Sequence, residues 1–117
     1  MTPEEKLYEV LSGIGSVYPM QAPQNTKVPF IIYHMTADTI NTYIDGSNSY
    51  DESKEKRFMV NVYQNGYQEF KQLVEQCLVA LKTINGDDFQ IVIYGTVDSV
   101  EDGTYRSKID LKIYHRI

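Results

Sequence analysis

Residues 57–84 constrain the fold more than any other stretch, because the hydrophobic period changes partway along them. Over 57–64, Phe58, Val60 and Val62 alternate with Met59, Asn61 and Tyr63. That period of two belongs to a strand, whose successive side chains point to opposite faces. Further on, Tyr67, Phe70, Leu73, Val74, Cys77, Leu78, Leu81 and Ile84 recur every three or four residues, which gathers them on one stripe of a helix. Asn65 stands at the expected N-cap, with Gln68 at the position that completes a capping box. Asn85-Gly86 is the expected stop, because Gly takes the left-handed conformation at no steric cost. An amphipathic helix of this length needs an apolar surface to cover, so the other strands must supply a sheet.

The first half of the chain begins with a second helix signal. Thr2-Pro3-Glu4-Glu5 offers an N-cap hydroxyl, a proline at the first helical position and carboxylates at the positive end of the dipole. Leu7, Val10, Leu11 and Ile14 form its apolar side, and Gly13 and Gly15 end it, so the helix is expected over residues 3–12. Residues 17–27 read as a connector, since Tyr18-Pro19 and Ala22-Pro23 disfavour helix. Pro29 opens the apolar strand Phe30-Ile31-Ile32-Tyr33-His34-Met35; lacking an N–H, it belongs at the strand's first position or on an edge. The Thr, Ile and Tyr of 39–44 indicate a second strand, and Asp45-Gly46 a turn. The polar, mixed-charge segment 46–56 is longer than a tight hairpin needs. It reads either as a solvated hairpin tip or as a flexible arm that orders against a neighbour.

After the long helix, 89–97 is strand-like, and Glu101-Asp102-Gly103 signals a turn. The last strand alternates most clearly. Tyr105, Ser107, Ile109, Leu111 and Ile113 share one side, while Arg106, Lys108, Asp110, Lys112 and Arg116, with Tyr114 among them, lie on the other. One packed and one wet face is the mark of an antiparallel sheet. The expected order is α-β-β-β-α-β-β: an α+β fold, a mostly antiparallel sheet with two helices packed on one face. No repeat or linker divides residues 1–117, so they are expected to form a single domain.

There is no phosphate-loop, dinucleotide or nucleophile-elbow motif, and no His/Cys spacing suited to a metal. His34 and His115 each fall alone in a strand, and the carboxylate pairs sit in solvated turns or at the helix start, not in the apolar pocket that acid/base catalysis needs. The expectation is therefore no enzyme, no cofactor and no metal. Cys77 lies on the apolar stripe and reads as a core residue. A net charge of −5 argues against a nucleic-acid binder. Glu4 and Glu5 stand where a secretory leader would be cationic and then apolar, and no stretch approaches a membrane span. Ten Tyr and no Trp suit half-buried strand positions, or an interface. The cationic row Arg106, Lys108, Lys112 and Arg116 is either a soluble sheet face or a contact for an acidic patch on another copy or partner.

In several ordered stretches the chain resembles a phage family, the small tail completion or tail terminator proteins of long-tailed phages with non-contractile tails. The resemblance lies in the N-terminal helix, Val17-Tyr18-Pro19, Ala22-Pro23 and Val28-Pro29-Phe30-Ile31-Ile32-Tyr33. It continues through Ile44-Asp45-Gly46, a charged gap longer than the short hairpin expected there, Arg57-Phe58-Met59-Val60-Asn61-Val62-Tyr63 and the long helix. The last two strands fit by pattern only.

The resemblance implies a structural protein of the virion tail or neck, assembled in the bacterial host cytoplasm. It implies a ring, commonly a hexamer, that caps the head-proximal end of the tail tube, stops tube polymerisation and joins the tail to the head connector. The implied partners are further copies of the chain, the major tail tube protein and the head completion or connector protein, with neither sequence-specific nucleic acid nor membrane. Candidate interface residues are Tyr43; Asp51, Glu52, Lys54 and Lys56 of the charged segment; and Arg106, Lys108, Lys112, Tyr114 and Arg116 of the last strand. The alternative is a small non-catalytic adaptor or head-closure protein that holds a protein partner through the 46–56 arm.

Overall fold

A computed structural model describes residues 2–42 and 50–115, and side-chain positions outside 37–54. Tyr43, Arg116 and the Asp45-Gly46 turn lie outside the described residues, as do the side chains of Asp51, Glu52 and Lys54.

Helix α1, Pro3–Ser12, starts as its sequence dictates. The Glu5 amide donates to Thr2 Oγ1 at 3.2 Å and the Thr2 amide donates back to Glu5 Oε1 at 3.3 Å, a complete capping box. Leu7 and Leu11 point inward and are fully buried. The region expected as a connector contains a short strand, β1, Ser16–Pro19, parallel to the next strand with Val17 opposite Ile31. Four residues ending in proline carry too little periodicity to announce a strand; the long-range pairing makes it one.

Strand β2, Phe30–Thr42, joins the two strands expected at 30–35 and 39–44. A register shift between Met35 and Ala37 inserts an extra residue there, and the lost alternation resembles a strand end. Strand β3, Tyr50–Gln64, begins well before residue 57 and takes in most of the charged segment. The order α-β-β-β-α-β-β is observed, with its first three strands divided differently along the chain.

Helix α2, Tyr67–Lys82, buries Phe70, Cys77 and Leu81. Its N-cap is Gly66, without a side-chain cap, and not Asn65. Asn65 Oδ1 accepts instead from Thr104 Oγ1 at 3.0 Å, so a contact to the far hairpin replaces the capping box. The expected left-handed glycine stop is also absent. The helix tightens through i→i−3 bonds from the amides of Thr83, Ile84 and Asn85, and Asn85 Oδ1 accepts from the Ile91 amide at 2.8 Å. Strands β4, Phe89–Glu101, and β5, Thr104–His115, form a hairpin. Its two turn residues, Asp102 and Gly103, have φ of 51° and 79°, as a type I′ turn requires.

The sheet order is β1-β2-β3-β5-β4, antiparallel except for β1 with β2. Both helices cover one face. There Ile31, Phe58, Val60, Val62, Ile109, Leu111 and Ile113 pack against Leu7, Leu11, Cys77, Leu81 and Ile84. The alternation read in β5 is observed: Ser107, Ile109, Leu111 and Ile113 are all fully buried.

Candidate assembly surface

The face away from the helices is built by residue parity. Register places Phe30, Ile32 and His34 of β2 beside Tyr63, Asn61 and Met59 of β3, and those beside Arg106, Lys108 and Asp110 of β5. Of the candidate interface residues, Arg106, Lys108, Lys112 and Tyr114 come together here. Lys56 does not, because it pairs with buried Ile113 and so lies on the helix-covered side.

This face holds an ionic and aromatic network. Arg57 donates through Nε and Nη2 to the two carboxylate oxygens of Asp110, at 3.1 and 2.7 Å. Its guanidinium lies 4.8 Å from the centre of the Tyr94 ring. Lys112 Nζ lies 3.4 Å from Glu55 Oε2 and 4.6 Å from the centre of the Tyr114 ring. The hydrogen bond from Arg57 holds the Asp110 carboxyl below the usual carboxylate range, and the Tyr114 and Tyr94 hydroxyls hold the Lys112 ammonium above the lysine range. At the other end Phe30 stacks on Tyr63 with ring centres 4.6 Å apart. Asn61 Oδ1 and Arg106 Nε are buried there without a hydrogen-bond partner. Beside them Tyr63, Ser99, Glu101, Asp102, Thr104 and Arg106 line an open cavity of about 270 Å³.

The margins of the sheet differ. On one side β1 covers only the first residues of β2, from Phe30 to Tyr33. On the other, β4 pairs among the described strands with β5 alone, and Tyr94, Val97 and Val100 stand half or more exposed along it. A salt bridge of 2.9 Å from Lys71 to Asp98 ties this strand to α2. At the same corner Tyr105 stacks on Phe70 and meets Tyr67 edge to face.

The histidines do not converge. His34 lies on the open face, whereas His115 packs against the Phe89 ring on the helix-covered side. Burial pushes the Cys77 thiol up to about 12. Among the described residues no group of three His, Cys, Asp or Glu side chains could hold a metal ion, and no helix is long and apolar enough to cross a membrane.

Solved structures share this architecture. A chain of the native gene transfer agent (GTA) particle virion superposes with a TM-score of 0.64 at 13% identity, over 97% of this chain and 93% of that one. The gp17 protein of bacteriophage SPP1 gives 0.51 at 15% identity, over 97% and 88%. A protein from Akkermansia muciniphila gives 0.57 at 11% identity, over 95% of this chain and 48% of that one. No protein-family model and no curated protein matches the sequence. At these identities the likeness is one of fold, and it extends over nearly the whole chain.

Sequence reasoning missed Tyr94, Arg57, Glu55 and Asp110 as one network. Their neighbourhood depends on the register of three strands and on the shift at Gly95, which single-strand periodicity does not carry.

Proposed function

We propose that this chain is a structural protein of a phage-type particle, a tail terminator that caps the head-proximal end of the tail tube as a ring. The near end-to-end fold likeness to a GTA virion chain carries this reading, and the likeness to a phage SPP1 protein supports it. The residue-level resemblance in the first two-thirds of the chain points the same way. The protein acts by shape and symmetry: a heterologous contact repeated around an axis, commonly six times, closes a ring and stops further growth. One flank of the sheet meets the opposite flank of the next copy. The tube protein and the head connector meet the two ends of the ring, within the virion, after assembly in the host cytoplasm.

Arg106 and Lys108 of the open face are the candidates for electrostatic contact with a partner. Arg57 and Lys112 already face Asp110 and Glu55 within the chain. The test is mass photometry of the protein with its tail tube protein. A ring-sized species and tubes of arrested length are expected. A strict monomer that neither caps nor joins tubes refutes the reading.

A further inference from the structure

We infer that the outer edge of β4, over residues 96–101, is a strand-addition site whose occupant is the outer edge of β2 in a second copy of the chain. The inference rests on the ring reading and specifies the contact that closes it.

The β4–β5 hairpin register sets the hydrogen-bonding capacity of this edge. In a two-residue hairpin the flanking pair, here Glu101 and Thr104, exchanges both of its backbone hydrogen bonds, and the pairs alternate from there. The amides and carbonyls of Thr96, Asp98 and Val100 therefore point away from β5, along an edge where no other strand lies among the described residues. Chains that must stay apart blunt such an edge with Lys, Pro or an inward charge. Strand β4 contains no Lys, Arg or Pro, and Asp98 is held by Lys71. Its bulge lies upstream, between Ile93 and Gly95, and leaves residues 95–101 in unbroken register. Val97 and Val100 are 66% and 60% exposed, an apolar cost at a free edge that the side chains of an added strand reduce.

The opposite margin offers the complement. Strand β1 is short, ends in Pro19, and covers β2 only as far as Tyr33, so among the described residues no strand lies on the outer edge of β2 beyond Tyr33. Register shifts between Met35 and Ala37 and between Ile40 and Thr42 leave residues 37–40 as its regular run. Strands β2 and β4 run antiparallel within one sheet. A head-to-tail junction between copies therefore pairs them antiparallel, with the better-aligned ladder.

The two free stretches also sit at diagonally opposite corners. Asp38 stands level with Ile91 through Lys56 and Ile113, whereas Asp98 lies seven residues beyond Ile91, with one ladder step lost at the bulge. Joining them offsets each copy from the next by six steps, about 20 Å. Closing a sheet into a barrel requires an offset of this kind, because the strands must tilt.

The test compares the wild-type chain with the double variant Thr96→Pro, Val100→Pro, each in the presence of tail tube protein. Both prolines replace outward amides, which an edge strand tolerates, so the circular dichroism spectrum and urea midpoint should stay close to wild type. The expected result is rings for wild type and at least a tenfold loss of ring population for the variant. Hydrogen exchange on wild type is the second measurement and needs no variant. The amides of Thr96, Asp98 and Val100 should exchange at least tenfold more slowly in the ring than in the dilute monomer. Rings that persist in a folded double variant, or unprotected amides within wild-type rings, overturn the edge assignment and leave the terminator reading standing. Wild type that forms no ring overturns both.

Discussion

Gly95 and Gly103 both lie in β4–β5, and a methyl group added at either meets no atom within 4 Å. They differ in backbone conformation. Gly103 has φ of +79°, where an L side chain is strained, while Gly95 lies outside that region. The same change, Gly→Ala, should therefore act in opposite directions. At Gly103 the left-handed conformation costs about 1–2 kcal/mol for a residue with a Cβ. At Gly95 the cost disappears, and reduced freedom of the unfolded chain stabilises by about 0.4–1 kcal/mol. An unfolding entropy of about 2.1 cal/mol/K per residue, over a chain of this length, makes each kcal/mol worth about 4 °C in Tm. Thermal denaturation should thus show Gly103→Ala lower by about 4–8 °C and Gly95→Ala higher by about 2–4 °C. Because neighbours contribute nothing at either site, the difference isolates φ. Equal shifts, or a neutral Gly103→Ala, would refute the type I′ turn and with it the outward amides deduced from the hairpin register.

The remaining predictions concern the helices, the core and the charges. Gly66→Ser places a hydroxyl at the N-cap of α2; its Cβ would overlap the Glu69 carboxylate, whose flexible end must swing aside, and with that shift a gain of about a few tenths of a kcal/mol in urea denaturation is expected. Cys77, fully buried with its thiol pushed up to about 12, should not react with a thiol reagent at pH 8 until urea unfolds the chain; rapid native labelling would contradict the packing. Lys71 lowers the Asp98 carboxyl and Arg57 lowers Asp110, so their stabilising effect is complete above the unfolded value of about 3.9 and is lost as pH falls through the lower folded values. The acid limb of the stability profile should flatten in the Asp98→Asn, Asp110→Asn variant, measured by urea midpoints between pH 5 and 2. Lys108→Glu should leave the fold intact and weaken joining to an acidic partner at low salt, read by the salt dependence of ring–tube association.

How much was legible follows from the range of each signal. The capping box of α1 and the alternation of β5 are written in adjacent residues, and both appear as read. The stripe of α2 is local too, but its N-cap was displaced because Asn65 finds Thr104 across the fold. Strand β1 and the bulge in β2 depend on partners far along the chain, so the first hid within a connector and the second resembled a strand end. The cationic row was legible as a row, whereas its pairing with Asp110 and Glu55 was not, since cross-strand neighbours exist only once register is set.

That pairing bears on where the working surface lies. Arg57, Asp110, Tyr94, Lys112 and Glu55 link β3, β5 and β4 into a network whose charges face one another within one chain. Pairs of this kind near the surface are worth little for stability, yet they favour the register of three strands, and both cations lie near the Tyr94 ring. A face so neutralised offers a partner little beyond Arg106 and Lys108. Among the described residues the outward main-chain groups of the β4 edge pair with no other strand, and unlike side chains they cannot turn away to find a partner. Among the described residues, a run of main-chain donors and acceptors not paired to another strand thus lies along a margin of the sheet, and an antiparallel strand of a neighbouring copy has the shape and periodicity to meet it.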